Sequence, residues 1–185
     1  MKKYFANRCS LLFLLMLCVG LAACSEPRQD TPAATAKGFA SGDECHVCGM
    51  IITDFPGPKG LAAAGATVTK FCSTAEFFGW WLQPENQVIR ASLFVHDMTD
   101  TPWDSPDDQR LIDATTAYYV IGTALQGSMG PTLASFADKD KAQQFATAHG
   151  GRVLAFDDIS LELLQQAAGE QYNHSMPNGE HHRGH

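Results

Sequence analysis

The sequence predicts an α+β fold of two similar ββαβ units, each built on a small mixed or antiparallel sheet, with a helix at the C-terminal end. Three observations predict it. Two helical patterns, "STAEFFGWWLQ" and "DKDKAQQFATAH", are each flanked by short runs rich in β-branched and aromatic residues. Phe71 and Val88 bracket the first helix, and Phe136 and Val153 bracket the second at the same spacing of 17 positions (88 − 71 and 153 − 136). The two halves therefore repeat at an offset of 65 (136 − 71).

In the first unit, strands are expected near 47–53, 60–64 and 67–71. Ser73 and Glu76 then have the spacing of a capping box, in which the hydroxyl accepts a backbone N–H and the carboxylate reaches back. Phe77, Trp80 and Trp81 fall on one helical face, and Pro84 lies where it halts the helix. "VIRASLFVH" returns as a strand. The polar, proline-containing "DMTDTPWDSPDDQR" joins the halves. In the second unit, "AYYVIGT" and "PTLASFA" read as strands. Asp138 caps a helix whose stripe is Ala142, Phe145, Ala146 and His149, Gly150 stops it, and "RVLAF" closes the unit. A last amphipathic helix is expected from Asp158, with Leu161, Leu164 and Ala168 on one side. The units so defined are 43–100 and 101–168.

Residues 1–23 read as a secretory signal. Lys2, Lys3 and Arg8 precede the apolar run "LLFLLMLCVGLAA". The run ends in "LAAC", which resembles the bacterial lipobox, in which cleavage precedes a cysteine that is lipidated, here Cys24. Ser25 in place of Asp resembles the pattern sent on to the outer membrane. The chain after cleavage would hold 162 residues (185 − 23). Residues 24–42 are a Pro, Ala, Thr and Ser-rich tether, and 169–185 a polar tail carrying Met176, His174, His181, His182 and His185. The formal charge is −7, and −10 once Lys2, Lys3 and Arg8 are removed. An acidic chain without a basic patch excludes nucleic acid as a partner, and leaves acyl chains rather than protein charge to hold it at a membrane.

Chemistry concentrates in "DECHVCGMII". Cys9 and Cys18 leave with the signal and Cys24 takes lipid, so Cys45, Cys48 and Cys72 remain. An odd number of thiols in an oxidising compartment leaves one outside any intramolecular disulfide. Four readings of Cys45-x-x-Cys48 compete. A structural zinc site needs four ligands, and a second pair is missing. A thiol–disulfide exchanger needs the motif to open a helix whose N-terminus acidifies the thiol, whereas here Ile51 and Ile52 lead into an extended run. A plain disulfide leaves Met50 without a duty. A soft cation, Cu(I), uses thiolates and thioether together and tolerates low coordination. Met129, in the turn "GSMGP", is a second thioether, and His96 and Met98, alternating at the end of a strand, are weaker candidates. Cys72 reads as a buried small hydrophobe, and the tail histidines as a solvated segment.

The lipobox, "DECHVCGMII", "GPKG", "FCSTAEFF", "GSMGP" and "SFADKDKAQQFATAHGGRVLAFDDI" together resemble the NosL family, over nearly the whole exported chain to about residue 165. The resemblance implies two related ββαβ units, a fold also likened to organomercurial lyase. It implies a non-enzymatic, lipid-anchored periplasmic chaperone that binds Cu(I) and hands it by ligand exchange to apo nitrous oxide reductase. The donor would be a membrane copper exporter or the periplasmic copper pool. On this resemblance Cys45, Cys48 and Met50 match the cysteine-rich motif, and Met129 the Gly-Met-Gly turn. The competing function is a periplasmic CxxC thiol–disulfide oxidoreductase.

Overall fold

A computed structural model describes residues 38–175. The signal, Cys24, most of the tether and the tail from Met176 lie outside the described residues.

The first sheet begins with a hairpin. β1 (Gly60–Ala64) and β2 (Thr67–Phe71) pair antiparallel through a tight turn at Gly65, whose φ of 58° suits a glycine. The helix α1 (Thr74–Trp81) follows, capped as its sequence predicts. Ser73 is extended, and its hydroxyl oxygen accepts from the N–H groups of Ala75 and Glu76. The Glu76 carboxylate accepts from the Ser73 hydroxyl rather than from its backbone. Pro84 does more than stop this helix, because it opens a single turn, α2 (Pro84–Gln87). The chain returns as β3 (Ser92–His96), and β4 (Leu111–Asp113) then adds to its outer edge. The order is β2-β1-β3-β4, antiparallel throughout.

The second sheet holds β5 (Tyr118–Ile121), β8 (Ala134–Phe136) and β9 (Arg152–Ala155) in the order β8-β5-β9, again antiparallel. Between β5 and β8 stands a small hairpin, β6 (Gln126–Gly127) with β7 (Gly130–Pro131), whose tip is Ser128 and Met129. The helix α3 (Lys139–His149) is capped by the Asp138 carboxylate, which accepts from Asp140 and Lys141 N–H. The last helix, α4 (Leu161–Ser175), starts after a short 3-10 turn at Phe156–Asp158, later than the expected Asp158. No helix among the described residues is long and apolar enough to cross a membrane.

Each sheet thus places its first strand between its second and its third, with a helix connecting the second to the third. The registers show where the halves differ. Gly60 faces Phe71 and Tyr118 faces Phe136, so equivalent points are 11 positions apart in the first unit and 18 in the second (71 − 60 and 136 − 118). The seven extra positions contain the β6–β7 hairpin. Val88 is not the counterpart of Val153. Val153 faces Val120 in β9, while Val88 is exposed beyond α2 and Leu93 holds the equivalent place. The turn α2 occupies the residues that broke the count.

A strand at 47–53 is absent. Residues 45–50 form a closed loop instead, held at its base by one bridge between Glu44 and Ile51, and Ile52–Asp54 is a 3-10 turn. Gly49, at φ 73°, takes a conformation that no run of strand allows.

One apolar core joins both units. Phe71, Phe77 and Phe78 pack with Leu61, Leu93, Val95, Tyr119 and Leu133, all buried. Each fully buried side chain of this size stabilises by about 1.5–3 kcal/mol. Phe78 meets Tyr119 edge-on at 4.9 Å. Gly60 lies where α1 crosses β1, and a Cβ there would sit 2.7 Å from Phe77. A smaller core under α3 holds Val120, Ala134, Phe136, Ala142, Ala146 and Met98.

Candidate metal centre

The loop that carries the CxxC motif is shaped by its own backbone. Cys45 N–H donates to Met50 O at 2.8 Å, and Gly49 N–H donates to Cys45 O at 2.8 Å. His46 N–H donates to Lys70 O at 2.9 Å and docks the loop on β2. Cys72 stands two residues beyond Lys70, where β2 ends and α1 is about to begin. That docking brings three sulfur atoms together: those of Cys45, Cys48 and Cys72 lie within 4.8 Å of one another. Cys48 and Cys72 Sγ are 3.4 Å apart, and all three cysteines are free thiols. Cys45 is 3% exposed and Cys72 fully buried, while Cys48 is only partly buried.

The second unit reaches this cluster through its inserted hairpin. Ser128 Oγ–H donates to Cys72 Sγ at 2.9 Å. From α1, Glu76 Oε2 is 3.9 Å from the same sulfur. Beside them opens a cleft of about 630 Å³ whose lining includes Glu76, Met129, Thr132, Leu164 and Ala167.

The three thiols differ in acidity. Burial pushes the Cys45 thiol up, but N–H groups of Cys72, Cys48 and Val47 and the Cys72 side chain together bring it below the usual thiol range. Cys72 is driven far above that range by burial; the Ser128 hydroxyl offsets a part, while the neighbouring thiols and Glu76 add to the rise. Cys45 is therefore more acidic than Cys72, whose deprotonation its surroundings oppose.

The remaining expected residues fall as follows. Met50 closes the loop and packs half-buried against the main core. Met129, 59% exposed, sits at the hairpin tip next to Ser128. His96 is not part of the sulfur cluster. It is 1% exposed, its Nδ1 accepts from Lys59 N–H at 3.2 Å, and Phe39 meets its ring edge-on. Its Nε2 lies 3.2 Å from Asp108 Oδ1, out of line for a hydrogen bond. Met98 belongs to the core under α3. His46, inside the motif, turns its ring edge-on to Phe71 and Trp80 rather than towards the thiols.

Cys72 is the member that reading by local pattern passed over. Burial and participation are compatible here, since it is both fully enclosed and in sulfur contact. The odd thiol left over from the CxxC pair was the signal that pointed to it.

A family model described as NosL matches residues 36–164. A copper-binding lipoprotein NosL of Stutzerimonas stutzeri is 53% identical over 179 residues, 94% of each chain. One of the same description from Achromobacter cycloclastes is 35% identical over 124 residues, 64% of each chain. Among solved structures, the crystal structure of the copper chaperone NosL from Shewanella denitrificans matches with a TM-score of 0.68 at 40% identity. That match covers 71% of this chain and 99% of that one.

Proposed function

The chain belongs to the NosL family, and from that premise we propose that it is a lipid-anchored, periplasm-facing carrier of Cu(I). The observation that carries the proposal is the convergence of the Cys45, Cys48 and Cys72 sulfurs within 4.8 Å, with Cys48 the one partly exposed member of the three. Thiolates at that separation suit a soft monovalent cation, which needs no fourth partner. Cys45 and Cys72 form the floor. Cys48, the one partly exposed thiol of the three, is the exchangeable ligand. The thioethers of Met50 and Met129 are the rim ligands that such an exchange would use.

Delivery follows the same geometry. An acceptor places its own ligand on the ion, Cys48 lets go, and the ion passes across without meeting water. We take the acceptor to be apo nitrous oxide reductase and the donor to be a membrane exporter or the periplasmic pool. Cys24 would hold the carrier by its lipid, on the outer membrane.

The exchanger alternative gains nothing from the local structure, because Cys45 and Cys48 precede a turn and not a helix of useful length. The test is a Cu(I) titration against a competing chelator, on wild type and on Cys45→Ser, Cys48→Ser, Cys72→Ser and Met129→Ala. The expected result is a loss of affinity of about tenfold or more for each cysteine variant and less for Met129→Ala. Equal affinity in all of them would overturn the carrier, and insulin reduction without metal would replace it with the exchanger.

A further inference from the structure

Lys59 is 2% exposed, and its ammonium forms no ion pair among the described residues. It donates to Phe55 O at 2.6 Å and Pro56 O at 2.8 Å. An ammonium has three N–H groups, so one is left over. A buried cation with no carboxylate in ion-pair contact is costly and calls for a reason.

Its position supplies one. Gly60 faces Phe71 across the β1–β2 ladder, so the next step outward sets Lys59 beside Cys72. The neighbouring bond from Thr74 N–H to Pro58 O, 3.1 Å, continues that adjacency past the end of the strands. The groups that face the ammonium are Cys72 from the end of β2, Glu76 from α1, Asp108 from the β3–β4 connection and the neutral His96 ring from β3.

We propose that Lys59 is the counter-charge of the metal–thiolate centre, a positioning residue that makes a buried, net-negative sulfur site tolerable. The proposal rests on the carrier reading above. Two thiolates around a monovalent cation leave one negative charge, and three leave two. Lys59 is the cation that the fold places at the same end of the sheet, already desolvated and held by two carbonyls. In the unloaded chain its cost is offset by those carbonyls and by the Glu76 and Asp108 carboxylates. On loading, the thiols release their protons to solvent, and the negative charge of the sulfur site adds to that of the Glu76 and Asp108 carboxylates near the ammonium. Burial pulls the Lys59 pKa down to about 8, while Cys72, Asp108 and Glu76 pull it up.

The test uses the full-length reduced chain in detergent and Cu(I) itself, titrated against a competing chelator from about pH 6 to about pH 8. Lys59→Gln keeps two N–H donors for the Phe55 and Pro56 carbonyls and removes the charge. Lys59→Arg keeps the charge. Lys59→Met serves where Lys59→Gln does not fold, and urea unfolding reports that for each variant. The expected result is Cu(I) affinity weaker by about tenfold or more in the uncharged variants, with half-binding moved to higher pH, and recovery to within about threefold in Lys59→Arg. A folded, uncharged variant with wild-type affinity and pH profile overturns the proposal, as does an arginine variant no better than the glutamine one. A wild type whose affinity is indifferent to the three cysteines overturns the carrier reading and this proposal together. A wild type that needs the cysteines but not the charge overturns this proposal alone.

Discussion

Replacing Thr74 by valine should cost the fold far more than its loss of a single oxygen suggests. Thr74 opens α1, yet its hydroxyl belongs to the other unit. Oγ1–H donates to Leu133 O at 2.6 Å, and Oγ1 accepts from Leu133 N–H at 3.1 Å and from the Thr132 hydroxyl at 2.9 Å. All three residues are buried. Valine has the same shape and none of these bonds. It leaves the Leu133 N–H and C=O without partners in a dry interior, at about 1–3 kcal/mol each. Loss of the interaction therefore costs about 3 kcal/mol, a large share of the 5–15 kcal/mol or so that holds a typical domain together. With a urea slope of about 2 kcal/mol/M, the unfolding midpoint falls by about 1.5 M. Thr74→Ser keeps the hydroxyl and gives up one methyl, for about 1 kcal/mol. Urea unfolding followed by tryptophan fluorescence measures both. Valine and serine variants within about 0.5 kcal/mol of each other would show that the hydroxyl does not join the units.

Acid should weaken the fold through His96. Burial and the nearby Lys59 ammonium hold its pKa down to about 3, against a weak opposing pull from Asp107. The unfolded chain takes up a proton near pH 6.5 that the folded chain refuses, so this contribution is complete above about pH 6.5 and is lost as pH falls towards about 3. Unfolding free energy should drop by about 1.4 kcal/mol per pH unit between roughly pH 5.5 and 4, and His96→Gln should flatten that slope; an unchanged slope would assign it elsewhere. Gly60→Ala should lower the urea midpoint by about 1 M, because its methyl group overpacks the contact with Phe77; a midpoint equal to wild type would show that α1 can shift freely. Thiolate absorbance in the metal-free chain should show an acidic step that disappears in Cys45→Ser, with Cys72 still protonated in mild alkali; survival of the step in Cys45→Ser and its loss in Cys72→Ser would reverse the order of these two thiols.

What could be read from the sequence was what is decided locally. Ser73 and Asp138 cap helices because their oxygen atoms reach N–H groups two and three residues away, a matter of spacing alone. The strands of the β1–β2 hairpin and β5 were visible for the same reason. What escaped needed partners distant in sequence. β4 and the β6–β7 hairpin are three and two residues per strand, too short for periodicity to show, and exist by pairing. The isoleucines at 51 and 52 suggested a strand through 47–53, but Gly49 turns the chain and Ile52 is drawn into the core. Equal spacing around the two helices misled because α2 adds residues on one side only. In the sulfur cluster, Cys45 and Cys48 announced themselves by adjacency. Cys72 joins them only after the β1–β2 hairpin folds back and the loop docks on Lys70, an event that no local pattern records.

The doubled plan has a further consequence at the place where its copies correspond. Phe71, Cys72 and Ser73 end one strand and cap one helix; Phe136, Ala137 and Asp138 do the same in the other half. A methyl group thus occupies the spot that a thiol holds in its twin, and no cysteine-bearing segment precedes β5 to face it. The three-thiol cluster therefore has no counterpart in the second half among the described residues. What the second half supplies instead is its inserted hairpin, whose Ser128 hydroxyl reaches the Cys72 sulfur.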